Sequence, residues 1–189
     1  MRVVLMSAMV EDGAVTELTV GDAWSVALMF QPREYLISAS DAELGLWPEV
    51  PLDSDPTPLY HLTARVRRRV RDDPESEALG LETPVATFGL RPDAQVPAGT
   101  RVSARGFIRA DPWVNMVWAV PATRRRCVVE GLEYVDVPAR RDEEGRLRED
   151  WSRCTRRTID LIDVRHDASR EGRGFGFYVV HVALDPRAT

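Results

Sequence analysis

Residues 60–71 read YHLTARVRRRVR, and at a period of two they separate into two sets. Leu62, Ala64, Val66 and Val70 fall on one side; Thr63, Arg65, Arg67, Arg69 and Arg71 fall on the other. An α-helix would mix the two sets around its axis, whereas a strand points successive side chains to opposite faces of a sheet. The segment is therefore expected to be a strand with one buried and one solvated face. Residues 100–109 repeat the arrangement, with Val102, Ala104, Gly106 and Ile108 alternating against Arg101, Ser103, Arg105, Phe107 and Arg109. Two half-buried strands need a second layer, or closure of the sheet on itself, to bury their apolar sides.

The rest of the chain has the same character. Arg2 to Val10 is apolar on both faces, as expected of a central strand ending at the Glu11-Asp12-Gly13 turn. Ala23 to Phe30 alternates, Trp24, Val26, Leu28 and Phe30 facing one way and Ser25, Ala27 and Met29 the other, and Glu34 to Ala39 is a shorter strand. Ser40-Asp41-Ala42-Glu43 has the start signature of a short helix. The acidic, proline-rich segment from Asp41 to Pro58 is expected to be a surface loop, with a lid over the arginine faces as the alternative. Thr83 to Leu90, Met116 to Val120, Arg125 to Val137, Arg157 to Arg165 and Gly174 to Leu184 complete the expected strands, with a bulge at Gly131. Residues 138–157 hold seven arginines and are expected to form a mobile hairpin loop or a salt-bridged helix, anchored by Trp151.

Many short strands, tight turns and one or two short helices predict an all-β chain. The expected architecture is an antiparallel β-barrel or sandwich over residues 1–189 as a single domain. The bulged strands, the glycines within them and the VPAGTRV turn leading into VSARGFI give residues 60–137 a pattern that resembles the barrels of OB-like folds. That resemblance implies a binding surface on a small barrel.

Charge is unevenly spread along the chain. The net charge is −5 and every basic residue is arginine. A whole surface devoted to nucleic acid would be strongly basic, so that class is excluded. The first 64 residues hold two arginines against ten acids, and the expectation is that this acidic front half neutralises the arginine-bearing strands. Cys127 and Cys154 stand apart, without a CxxC pairing, and read as reduced thiols of a cytoplasmic protein. No apolar run approaches the ~20 residues of a membrane span.

Catalytic signatures are weak. The run Arg173-Gly174-Phe175-Gly176-Phe177 resembles the opening of the RNP1 signature of RNA-recognition motifs, whose sheet aromatics stack bases. Tyr178 stands where that signature has Val and Val180 where it has an aromatic, so the run is expected to be a glycine-flexed turn into a core strand. Asp160, Asp163, His166 and Asp167 are the one cluster with metal-ligand chemistry, but strand alternation sends Asp160 and Asp163 to opposite faces, and no metal or other cofactor is expected. His61, His166 and His181 show no spacing that implicates a nucleophile, and no catalytic residue is assigned.

The arginine faces remain. Guanidinium groups at strand spacing suit phosphate or carboxylate, and Phe107 and Trp113 would add stacking. The expected binding residues are Arg65, Arg67, Arg69, Arg101, Arg105, Phe107 and Trp113. The expected function is a non-catalytic binding or interaction module for an anionic ligand, single-stranded nucleic acid or an acidic protein. The alternatives are a small enzyme acting on an acidic metabolite in a barrel mouth, and a structural subunit of a complex.

Overall fold

The structure, a computed structural model, describes residues 1–50, 55–70, 77–90, 96–110, 123–163 and 175–185. In chain order the elements begin with β1 (Arg2–Met6), α1 (Ser7–Glu11), β2 (Glu17–Thr19), β3 (Ala23–Pro32), β4 (Ile37–Ser38) and β5 (Gly45–Glu49). They continue with β6 (Leu59–Val70), β7 (Glu77–Glu82), β8 (Thr87–Leu90) and β9 (Arg101–Ala110). The last set is β10 (Arg124–Val137), β11 (Ala139–Arg141), β12 (Leu147–Glu149), a 3₁₀ turn at Trp151–Arg153, β13 (Thr155–Ile159), β14 (Leu161–Asp163) and β15 (Phe175–Leu184). Among the described residues no helix is long and apolar enough to cross a membrane.

The chain divides into two compact units, the first made of Met1–Trp24, Pro51–Thr57 and Cys127–Leu184, the second of Ser25–Val50, Pro58–Arg126 and Asp185–Thr189. In the second, β6, β7 and β8 are antiparallel neighbours and β9 returns to lie beside β6, which is the Greek-key order. β3 then pairs with β9 on one edge and with β8 on the other, so these five strands close on themselves. The all-β barrel expected from the sequence is what the chain forms. One pairing departs from an all-antiparallel barrel: β3 meets β8 in parallel, at Met29 opposite Gly89.

The alternation of β6 and β9 does what it predicts. Leu62, Ala64 and Val66 are wholly buried, as are Ile108 and, within a few per cent, Val102; each large aliphatic so placed contributes roughly 1.5–3 kcal/mol. β3 is different. Val26, Ala27, Leu28, Met29 and Phe30 are all buried, so both of its faces are covered and the alternation of size is not an alternation of exposure. Gly106 is required by close approach, because a Cβ there would run into the Gln31 carbonyl oxygen and the Phe30 ring where β9 crosses β3.

In the first unit β15 lies between β1 and β10, and β13 adds to the far edge of β10. The register of β10 on β15 shifts between Val129 and Gly131, where the bulge was expected. Phe177 and Tyr178 are buried inside this sheet, with Tyr178 stacked against Tyr134 at 5.2 Å and Phe177 against Trp151 at 6.3 Å. The glycine-rich run thus leads into a core strand, and Trp151 anchors the charged stretch before it. Cys127 and Cys154 are both free, and burial pushes the Cys127 thiol up to about 11.

Several local expectations are corrected. The first strand stops at Met6, and Ser7–Glu11 forms a helical turn, fixed by the Ser7 hydroxyl donating to the Gly176 carbonyl at 2.8 Å. Residues 40–43 make no helix; they turn, with the Ala42 amide bonded to Ala39 at 3.2 Å. Of Glu34 to Ala39 only Ile37–Ser38 pairs as a strand. Of Thr83 to Leu90 only Thr87–Leu90 is a strand, and Thr83 caps the β7–β8 turn, its hydroxyl donating to the Ala86 carbonyl and accepting from the Ala86 amide. Gly45–Glu49, expected within a loop, is an edge strand on β6, where Pro48 costs no ladder bond. Of the two forms expected for residues 138–157, the hairpin is the one present, formed by β11 and β12. Met116 to Val120 lies outside the described residues.

Candidate ligand-binding face

The face of the second unit opposite Leu62, Ala64 and Val66 is carried by β4, β9, β6 and β5, side by side. Residues directly opposite one another on neighbouring strands share a face, so the registers define rows. One row runs Arg101, Arg65 and, on β7, Glu82. The next runs Ile37, Ser103, Thr63 and Gly45. A third runs Arg105, His61 and Trp47.

The middle row is floored by small residues. Thr63 and Ser103 are 2% and 6% exposed although they lie on the polar side of their strands. Gly45 ends the row with no side chain, and the Trp47 indole occupies the space that a Cβ at 45 would need. Buried hydroxyls need partners, and these have them: Ser103 Oγ lies 3.2 Å from Thr63 Oγ1 and 2.7 Å from His61 Nε2. His61 also stands 6.0 Å from the Trp47 ring, and its Nδ1 is 3.8 Å from Glu49 Oε1.

The acidic front half neutralises part of the arginine face, as the charge distribution suggested. Arg105 Nε donates to Glu49 Oε2 at 2.7 Å, and its Nη1 lies 3.7 Å from Glu34. The hydrogen bond and charge of Glu49 raise the Arg105 pKa further above its ordinary value, Glu34 assists, and burial opposes. Arg67 Nε is bonded to Glu82 Oε2 at 2.8 Å.

Arg65 and Arg101 are in another position. They are directly opposed across the β6–β9 ladder. Arg101 Nη1 donates to the carbonyls of Ser40 and Ala42 at 3.3 and 3.2 Å, which orients it without cancelling its charge. Arg65 has no carboxylate partner among the described residues. The Glu82 carboxylate opposite it is engaged with Arg67. Like charges set directly across a ladder disfavour the pairing.

Of the other expected binding residues, Phe107 is half-buried, with the Arg33 guanidinium 5.7 Å from its ring centre. Arg69 is in register with Ala78 on β7. Trp113 lies outside the described residues, as do His166 and Asp167 of the acidic cluster. Trp47, Glu49, His61 and Thr63 were not assigned as site residues. The alternation that carries His61 and Thr63 was visible and the strand that carries Trp47 and Glu49 was not; nothing in a sequence says which strand lies beside which, and the cluster exists only through register. No protein family, curated protein or solved structure matches this chain.

Proposed function

We propose that the protein is a binding module for an anionic partner, which is held between Arg65 and Arg101. The observation that carries this reading is that Arg65 and Arg101 stand directly opposite in the β6–β9 register and neither has a carboxylate partner among the described residues. A phosphate or carboxylate seated there would turn cross-strand repulsion into charge-assisted hydrogen bonding. Trp47, His61 and Phe107 give the same face aromatic surface on which a base or ring could stack. We read the barrel as OB-like, supported by the Greek-key order of β6 to β9.

The test is fluorescence anisotropy of a labelled single-stranded oligonucleotide at two salt concentrations, with labelled polyglutamate as a second anionic probe. Binding is expected to weaken with salt, and Arg65→Glu with Arg101→Glu should reduce the log–log salt slope for the oligonucleotide by about two. Failure of both probes to bind at low salt would overturn the reading.

A further inference from the structure

The same face contains an arrangement that simple binding does not require. Along β9 and β6 the functional groups follow one another in a line. The Arg65/Arg101 pair comes first, the Ser103 hydroxyl next, then the His61 imidazole, then the Glu49 carboxylate. Ser103 Oγ is 2.7 Å from His61 Nε2, while the opposite ring nitrogen of His61 faces Glu49 Oε1 at 3.8 Å. Nucleophile, base and carboxylate thus stand in the order that activated serines require, and that order is recognised by geometry and role rather than by sequence spacing. Ser103 is shielded, being 6% exposed with the Trp47 indole over the Gly45 end of its row, while the His61 side chain beside it is 42% exposed.

We infer that Ser103 is a nucleophile activated by His61, and that this site cleaves a small carboxylic ester carrying an anionic group. Ser103 Oγ attacks the ester carbonyl as its proton passes to His61 Nε2. The bond to the leaving alkoxide breaks, and the alkoxide takes that proton. Water then attacks the acyl-serine, again giving a proton to His61, which returns it to Ser103 as the acid departs. Glu49 is a positioning residue, held by Arg105 and aimed at the far side of the imidazole. Recognition of the substrate's anionic group rests on the binding reading above; the reactivity of Ser103 does not.

The experiment is labelling with a neutral fluorophosphonate probe, the adduct being located by peptide mass spectrometry. The expected result is one adduct on Ser103, formed faster in Trp47→Gly and roughly 10²- to 10⁴-fold more slowly in His61→Gln. Thermal melts of each variant show that the fold is retained, and Ser103→Ala should abolish the adduct. Absence of an adduct at Ser103 in both the wild type and Trp47→Gly would overturn the inference, as would an unchanged rate in a folded His61→Gln. Because the probe carries no charge, these outcomes are separate from those of the oligonucleotide titration.

Discussion

Val66 shows how much a single position can carry. It is wholly buried in β6, between the exposed Arg67 and the half-buried Arg65. Replacing it with Asp places a charge in a wholly buried position, and Val66→Asp should cost several kcal/mol in denaturant unfolding. Arg67→Glu, one residue along but on the other face, should cost far less, since it removes an exposed ion pair of about 0–1 kcal/mol. Equal losses for the two variants would mean that the faces of β6 are wrongly assigned. Arg105 belongs with neither. Its bond to Glu49 ties the edge strand to the sheet and fixes the carboxylate that faces His61.

At the level of elements, alternation was legible and partnership was not. A half-buried strand must alternate, so β6 and β9 could be read from residue types alone, and the bulge at Gly131 followed from a glycine inside a strand. The edge strand Gly45–Glu49 was hidden because it carries Pro48 and too few apolar residues to alternate. The helical turn at Ser7–Glu11 was hidden within an apolar run that suits either structure. The β11–β12 hairpin is held by polar groups. Asp142 accepts from the Arg146 amide at 2.8 Å and from the Nε atoms of Arg146 and Arg148, both at 3.1 Å. Burial opposes ionisation of Asp142, yet these hydrogen bonds prevail and hold its carboxyl below the ordinary value of 3.8. A depressed carboxyl stabilises the fold fully above that ordinary value and loses its contribution as the pH falls through its own lower one. The protection of the Arg146 amide from exchange, relative to an unstructured peptide at the same pH, should therefore be present at neutral pH and lost in strong acid, while Asp142→Ala should lack it throughout. Exchange in the variant as slow as in the wild type would assign the hairpin's order to something else.

For the whole molecule the open matter is whether two compact units are two folding units. Neither is a continuous piece of chain: each draws on three separate segments. We propose that residues 1–189 behave as a single domain, with one calorimetric transition whose enthalpy agrees with the van't Hoff value. Two resolved transitions would make the units independent. The pairing of β1 with β15 has a further consequence, set by the order in which a ribosome delivers residues. Val3, Val4 and Leu5 find their partners in Val180, Val179 and Tyr178, roughly 175 residues later. At about 5–20 residues per second this separation corresponds to roughly 10–35 s of elongation. Throughout that interval an apolar strand waits in the nascent chain with the edge it will give to β15 unfilled, and whatever shields it then is as much a condition of folding as the barrel itself.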